Sequence, residues 1–345
     1  MRSAVLIVPQ CLEDEMYKKD DRTRLTPSQD HVPLPDELGK PMLGRLRALQ
    51  RRSFPKDKLA LNRRWVFVNL LLALVLITSI ALAITPAEAA SNVLVGAGDI
   101  SSCGNNNDEA TAKLLDKISG TVFTTGDNVY SSGSASQYAD CYGPTWGRHK
   151  SRTKPTPGNH DYKTSGASAY FDYFNGIAPY YAYTRGNWRI YALNSEIDVS
   201  ATSPQVKWLK ADLAANPKLC VMAYWHKPRW SSGAEHGSDS KIQTIWQVLA
   251  NAGAELVING HEHNYERFRP MNRYGKAAPK GMREIVVGTG GASHYGFGTI
   301  LATSQVRNSD TYGVLRLVLK STSYSWKFIP VAGKTFTDSG TTYCH

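Results

Sequence analysis

Five short stretches carry side chains that could bind a metal ion, at positions where the sequence predicts that strands end. They are Asp99; Asp127 with Tyr130; Asn159 with His160; His226; and His261 with His263. Apolar runs such as 121–125 and 220–225 are typical of buried strands. In an α/β sheet, ligands bind at the edge where such strands release into loops. Carboxylate and imidazole groups together suit hard to borderline cations such as Fe, Zn or Mn.

Each stretch by itself has a simpler interpretation. Gly126-Asp127-Asn128 is ordinary turn chemistry, and a histidine at the end of a strand is often only a hydrogen-bonded loop residue. Turn chemistry does not predict, however, that metal-ligating groups cluster at the ends of five strands. In His261-Glu262-His263 an extended backbone directs both imidazoles to the same side. We therefore expect one metal centre that draws on all five stretches.

Alternating strands and helices are predicted to position these groups. A strand at 92–97, a helix capped by Asp108 and a strand at 121–125 form a β-α-β unit. A right-handed crossover brings the ends of its two strands to the same edge. We find no internal repeat and no second linker, so we expect one α/β domain with two sheet regions. Further helices are predicted at 203–216 and 241–252, and further strands at 188–194, 220–225, 254–259, 283–288, 313–320 and 324–331.

The first 89 residues predict a leader. Residues 1–64 are polar and contain several prolines, which indicates disorder, and Met42 is an alternative start. Residues 65–84 are apolar, follow a basic segment and precede a small-residue site that would be cleaved after Ala89, the layout of a secretory signal. A run of this length can also span a bilayer, so an uncleaved membrane anchor through residues 65–84 is the alternative. Both place residues 90–345 outside the cytoplasm.

The positions of the cysteines predict disulfide bonds. Cys11 falls in the leader, and the remaining four cysteines allow three pairings. We expect Cys103 to pair with Cys141, bracing the loops around the Asp127 stretch, and Cys220 with Cys344, tying down the C-terminal tail. A zinc site is the alternative, but no two of these cysteines are close in sequence, so disulfides are favoured.

The net charge of +11 suits an anionic ligand, but the charge is diffuse and no nucleic-acid-binding motif accompanies it.

In their order, the five stretches resemble the metallophosphoesterase (calcineurin-like phosphoesterase) superfamily and are most similar to the purple acid phosphatases. The resemblance covers roughly residues 92–331. It rests on Gly98-Asp99, Gly126-Asp127-Asn128-Val129-Tyr130, Gly158-Asn159-His160-Asp161, His226 and Gly260-His261-Glu262-His263. It implies a two-sheet α/β/β/α sandwich with a binuclear metal site at the carboxyl edge of the strands.

The resemblance also implies an activity. We expect a secreted or surface-exposed phosphatase that hydrolyses phosphate monoesters by attack of a hydroxide bridging two metal ions, Fe paired with Fe, Zn or Mn. A phosphodiesterase with the same metals is the alternative, and a catalytically silent, tethered binding module is a third reading. The expected partner is a small phosphate ester, with no nucleic acid, and a membrane only through residues 65–84 if they are uncleaved. The oligomeric state stays open.

The resemblance further assigns residue roles. His160 would contact the phosphate or protonate the leaving oxygen, and His236 lies in a loop where the family keeps substrate-contacting histidines. Ser101 stands where the broader superfamily commonly has a histidine, so Tyr130 would fill that ligand position. Seven residues would bind the metals: Asp99, Tyr130 and His263 the first, Asn159, His226 and His261 the second, and Asp127 both.

Overall fold

The computed structural model describes residues 92–345, so the predicted disordered leader at 1–64 and the signal or anchor at 65–89 lie outside the described residues. The strands are β1 Val93–Ala97, β2 Ser101–Ser102, β3 Thr121–Thr124, β4 Val129–Tyr130, β5 Thr153–Lys154, β6 Tyr181–Arg185, β7 Trp188–Ala192, β8 Cys220–Tyr224, β9 Leu256–Asn259, β10 Tyr265–Phe268, β11 Arg283–Val287, β12 Ser304–Asn308, β13 Gly313–Leu319, β14 Ser323–Pro330 and β15 Ser339–Tyr343. The α-helices are α1 Asn107–Leu115, α2 Ala135–Gln137, α3 Ser168–Tyr173, α4 Pro204–Ala215 and α5 Gln243–Asn251. Shorter 3₁₀ segments lie at Trp146–Arg152, Asp161–Lys163, Ser165–Ala167 and Ser240–Ile242, and a π-helical turn at Tyr138–Tyr142.

Two large sheets carry the domain. The six-stranded sheet has the order β15-β14-β13-β1-β3-β5, and the seven-stranded sheet has the order β12-β10-β11-β9-β8-β7-β6. In the first sheet, β1, β3 and β5 are parallel. In the second, β7, β8, β9 and β11 are parallel. Each sheet therefore presents a row of carboxyl strand ends at one edge.

Strand β8 shows how the layers stack. Its alternate residues Met222 and Tyr224 belong to the cluster that also holds residues of the six-stranded sheet, while Val221 and Ala223 pack with residues of α4 and α5. This period-2 alternation is that of a strand buried on both faces. Across the two sheets, the ring centroids of Tyr224 and Phe123 are 5.7 Å apart. The predicted two-sheet α/β sandwich is confirmed.

The predicted start of helix α4 is confirmed, whereas the predicted cap of helix α1 is not. Helix α4 begins as expected: the Ser203 side chain accepts a hydrogen bond from Val206 N, and Pro204 occupies the first turn. The prediction that Asp108 caps α1 was wrong, because Asn106 is the N-cap. Asp108 lies in the first turn, where its buried carboxylate accepts a hydrogen bond from Thr145 Oγ1 at 2.8 Å. Its Oδ1 also accepts a hydrogen bond from Glu109 N at 2.9 Å, so the side chain fixes a neighbouring loop together with the first turn of the helix.

Both predicted disulfides are confirmed. Cys103 is bonded to Cys141 and Cys220 to Cys344, with Cα–Cα distances of 5.3 and 5.6 Å. Within residues 92–345, none of the helices has the length and apolar character that crossing a bilayer requires.

Candidate metal centre

Both sheets contribute strand ends to one site. Asp99 and Asp127 follow β1 and β3 of the six-stranded sheet, while His226 and His261 follow β8 and β9 of the seven-stranded sheet. Backbone hydrogen bonds hold the two loops of each sheet side by side, from Asp99 N to Gly126 O at 3.1 Å and from Gly260 N to His226 O at 3.0 Å. The site lies where the carboxyl edges of the two sheets meet.

The backbone at three of these strand ends has an uncommon conformation. Asp99, Asp127 and His261 have φ values of 59°, 47° and 71°. Non-glycine residues rarely adopt positive φ, and where they do the surrounding structure must hold them there. All three residues belong to the candidate site. The surrounding structure therefore holds a strained backbone that orients these side chains toward the site.

The first group of donors surrounds the Tyr130 hydroxyl. It lies 2.9 Å from Asp99 Oδ1, 3.0 Å from Asp127 Oδ2 and 3.0 Å from His263 Nε2. His263 Nε2 is also 3.4 Å from Asp99 Oδ1. A single phenolic proton can serve only one of these acceptors, so the group holds more lone pairs than protons.

The second group surrounds His226 Nε2. It lies 2.9 Å from Asn159 Oδ1, 3.1 Å from His261 Nδ1 and 3.3 Å from Asp127 Oδ2. Asp127 Oδ2 thus takes part in both groups. Among the described residues, Asp127, His226 and His261 form a cluster whose ligand atoms all lie within 4.8 Å of one another.

Carbonyl and amide groups behind the site fix which atoms face it. His226 Nδ1 is 2.9 Å from Thr125 O, and His263 Nδ1 is 2.6 Å from Ser293 O. Since a carbonyl can only accept, each Nδ1 carries a proton, which leaves Nε2 as the ring nitrogen available to a metal ion. This outer hydrogen bond is the one that metal-bound histidines usually make.

The two carboxylates are oriented in the same manner. Asp99 Oδ2 accepts a hydrogen bond from His261 N at 2.9 Å, and Asp127 Oδ1 accepts one from His160 N at 2.7 Å. The other oxygen of each carboxylate is the one that faces the donors. Both aspartates are buried, so neither is satisfied by bulk water.

The electrostatics of the protein groups alone are those of a cation site. Burial opposes charge on His226, but the adjacent Asp127 carboxylate outweighs it and raises the pKa of His226 to about 10. Burial and the carboxylates of Asp127 and Asp99 raise the pKa of Tyr130 well above its usual range. The site therefore attracts positive charge, and a phenolate at Tyr130 would require a strongly charged cation beside it.

These donors fit metal coordination. Ligand atoms bound at about 2.0–2.2 Å to one ion lie about 3 Å from each other in octahedral or tetrahedral shells. The donor spacings of 2.9–3.4 Å match that geometry. Each group combines oxygen and imidazole nitrogen, and the two groups share an Asp127 oxygen. The seven residues predicted as ligands are thus brought together.

His160 and His236 each lie beside one of the donor residues. His160 Nδ1 is 2.7 Å from Ser131 O, and its Nε2 is 4.0 Å from Asp127 Oδ2. The exposed His236 ring stacks on His261 with 3.9 Å between centroids and an interplanar angle of 15°. Both predicted substrate contacts therefore border the donors without joining them.

The sequence did not single out Tyr295. Its ring stacks on His263 at 3.9 Å and 10°, and it meets the His236 ring edge-on at 5.7 Å. Tyr295 lies in a Gly-rich loop, and the sequence of this loop has no hydrophobic period from which the position of the ring could be predicted. His149, unassigned from the sequence, instead pairs with Asp116, and His294 stacks on Tyr312.

Comparisons with known proteins agree with this architecture. The sequence profile described as Calcineurin-like phosphoesterase matches residues 92–265. Purple acid phosphatase 22 of Arabidopsis thaliana is 27% identical over 182 residues, covering 45% of this chain and 42% of that protein. Among the plant relatives, the matched region spans 22 to 47% of their length, less than half of each protein.

Solved structures show the same fold. A purple acid phosphatase from yellow lupin seeds superimposes with a TM-score of 0.58 at 18% identity, covering 73% of this chain and 54% of that one. GAP50, described as the anchor in the inner membrane complex of Plasmodium, gives 0.56 at 15% identity and covers 71% of this chain and 87% of that one. The chain belongs to the calcineurin-like phosphoesterase family, and its sequence relatives within that family include purple acid phosphatases.

Proposed function

We propose that residues 90–345 form an exported phosphatase domain that hydrolyses phosphate monoesters with two metal ions. The observation that carries the proposal is the pair of donor groups that share Asp127 Oδ2. Asp99, Tyr130 and His263 complete the first metal site, and Asn159, His226 and His261 complete the second. Two bound cations would supply Lewis acidity and an activated water at neutral or acidic pH.

The chain's own groups supply positioning and proton transfer. His160 is oriented by its Nδ1–H···O=C bond to Ser131, so that Nε2 faces the region beside Asp127. There it binds the phosphate or donates a proton to the leaving oxygen. His236, whose ring stacks on His261, supplies a second imidazole donor to the phosphoryl oxygens. Under this proposal, His160 and His236 both contact the phosphate ester.

The donor types suggest which metals bind. The first group contains two carboxylates and a phenol, a hard oxygen-rich set that suits Fe(III). The second group contains two imidazoles, an amide and a carboxylate, which suits Fe(II), Zn or Mn. We therefore propose iron in the first site and Fe, Zn or Mn in the second.

A binding module is the competing function. The fold by itself does not exclude it, since the GAP50 structure with the same fold is described as an anchor. A module without catalysis would have no need for seven converging donors, nor for carbonyls that set their tautomers. The intact donor set favours catalysis, with a diesterase as the nearest enzymatic alternative.

Export is supported by the disulfides, which persist in oxidising compartments. We propose that residues 65–89 direct it, either as a cleaved signal or as an anchor. N-terminal sequencing of the mature protein separates the two, because cleavage after Ala89 would leave Ala90 at the amino terminus.

The activity is tested on a panel of monoester and diester substrates. Asp127→Ala should remove hydrolysis of every substrate, because both donor groups lose the oxygen they share. Asp140→Ala, an exposed carboxylate outside the donor set, is the matched control and should retain activity. Full activity in folded Asp127→Ala would refute the site, and faster diester than monoester turnover would shift the assignment to a diesterase.

A further inference from the structure

The loop that carries His236 has an unusual set of hydrogen-bond partners. Residues 229–237 follow β8 and contain no helix or strand. Three glutamates, each fully buried, accept hydrogen bonds from backbone N–H groups along this loop. They are Glu284, which binds Arg229 and Trp230; Glu266, which binds Ser232; and Glu262, which binds His236 and Gly237.

Glu262 is the residue in direct contact with the His236 backbone. Its Oε1 accepts a hydrogen bond from His236 N at 2.6 Å and a second from Gly237 N. Its Oε2 is buried and has no hydrogen-bond partner among the described residues. Hydrogen bonds to an ionised carboxylate are shorter and stronger than neutral ones. A buried carboxylate whose bonds go to one loop is therefore tied to the conformation of that loop.

Glu262 also belongs to the metal-binding stretch, since it lies between His261 and His263. The His236 ring stacks on His261, while its backbone is held by Glu262. Adjacent residues of one tripeptide thus fix both the ring and the backbone of His236. Two contacts therefore couple the loop to the metal centre. The His236 ring contacts His261, and the His236 backbone contacts Glu262.

We propose that Glu262 is a positioning residue that holds His236 in reach of the phosphoryl group. The proposal rests on the proposed phosphatase function. Without the Glu262 carboxylate, two backbone N–H groups lose their partner and the exposed His236 samples conformations that do not meet substrate. Binding is then weakened by the fraction of molecules in the competent conformation. Gly233 packs directly against the Glu262 side chain, so the loop has little room to adopt another anchor.

A double-mutant cycle tests this role in the purified protein. Loss of hydrogen bonds to a charged group predicts that Glu262→Ala lowers kcat/KM by about 10- to 100-fold. If Glu262 acts through His236, the double variant with His236→Ala should be no more than about threefold worse than His236→Ala alone. Glu262→Gln keeps an acceptor oxygen of similar reach and should retain most of the activity.

Glu284→Ala is the matched control. Glu284 is an equally buried carboxylate that binds the start of the same loop, at Arg229 and Trp230. It should lower Tm while its effect on kcat/KM multiplies with that of His236→Ala. Glu262→Asp replaces the alanine variant in the cycle if the latter does not fold. Multiplying effects of Glu262 and His236 variants, with both metals bound, would overturn the proposal.

Amide hydrogen exchange separates this inference from the proposed function. The His236 and Gly237 amides should be protected in the wild type and in Glu262→Gln, and should exchange faster in Glu262→Ala or Glu262→Asp. If the wild type hydrolyses no phosphate ester, the proposed function fails while this readout still reports on positioning. If the wild type is active and these amides exchange equally fast in the wild type, Glu262→Ala and Glu262→Asp, the positioning role fails alone.

Discussion

Asp127 has two carboxylate oxygens with different partners. Oδ1 accepts a hydrogen bond from His160 N, while Oδ2 lies 3.0 Å from the Tyr130 hydroxyl and 3.3 Å from His226 Nε2. The positive φ of 47° at this residue turns the side chain away from the strand and toward both donor groups. One residue thereby connects the His160 loop to the two groups. The same backbone amide that orients Asp127 also places the His160 imidazole.

The position of His160 predicts a dependence on the leaving group. His160→Ala should slow esters of poor leaving groups, such as alkyl phosphates, more than those of good leaving groups, such as nitrophenyl phosphate. General acid catalysis by a side chain contributes about 10²–10⁴-fold when the leaving oxygen needs a proton. His149→Ala, a histidine paired with Asp116 outside the donors, is the control. Equal slowing of all substrates would contradict the acid role.

At the scale of elements, the sequence identified the strands that lead to the candidate ligands because these strands are buried on both faces. Strands β8 and β9 are fully buried and largely apolar, and they lead into His226 and Gly260. Strands β12 and β15 were missed because they alternate between exposed and half-buried residues and contain Ser, Thr, Asn or Gly. The sequence also did not show which strands share a sheet. Strands β1 and β3 pair in one sheet and β8 and β9 in the other. This division depends on packing between segments that are distant in sequence.

The loops need glycines where strand ends approach closely. A Cβ on Gly158 would overlap Asp127 Oδ1 and the Asp127 backbone. Gly158→Ala should therefore displace Asp127, weaken metal binding and lower activity by about 10- to 100-fold or more, since loss of a partner that orients a ligand typically costs about 10- to 100-fold. Gly104→Ala, where no atom lies within 4 Å of the added Cβ, should match the wild type. Unchanged metal content in Gly158→Ala would contradict the close approach.

On the scale of the whole molecule, the site lies at the edge of two packed sheets, and a disulfide links β8 to the C-terminal segment. Tyr224 OH donates to Lys154 O across the sheets at 2.8 Å, and Trp188 stacks edge-on against Tyr324 at 5.6 Å. Cys220 lies at the amino end of β8, while His226 follows its carboxyl end. The Cys220–Cys344 disulfide thus secures the end of the sheet opposite to the donors. Residues 90–345 contain four cysteines, which allow three pairings, and the predicted pairing is the one in the structure.

Removing this disulfide should affect stability and leave catalysis intact. A bond that spans 124 residues restricts the unfolded chain strongly, so the Cys220→Ser, Cys344→Ser double variant should lose about 2–5 kcal/mol of unfolding free energy. Its kcat at 25 °C should equal that of the wild type, since the bond and the donors lie at opposite ends of β8. Chemical denaturation followed by circular dichroism, with activity measured in parallel, checks both. A proportional fall in kcat of the folded variant would show that the two ends are coupled.

The central claim is that Asp127 joins two metal sites in one active centre. Titration of the chelator-treated protein with Fe, Zn or Mn, followed by metal analysis and phosphatase assay at each step, tests it most directly. We expect two ions per chain at saturation, activity that requires both ions, and loss of both ions in Asp127→Ala. A folded wild-type protein that reaches full phosphatase activity with one ion or none would contradict it.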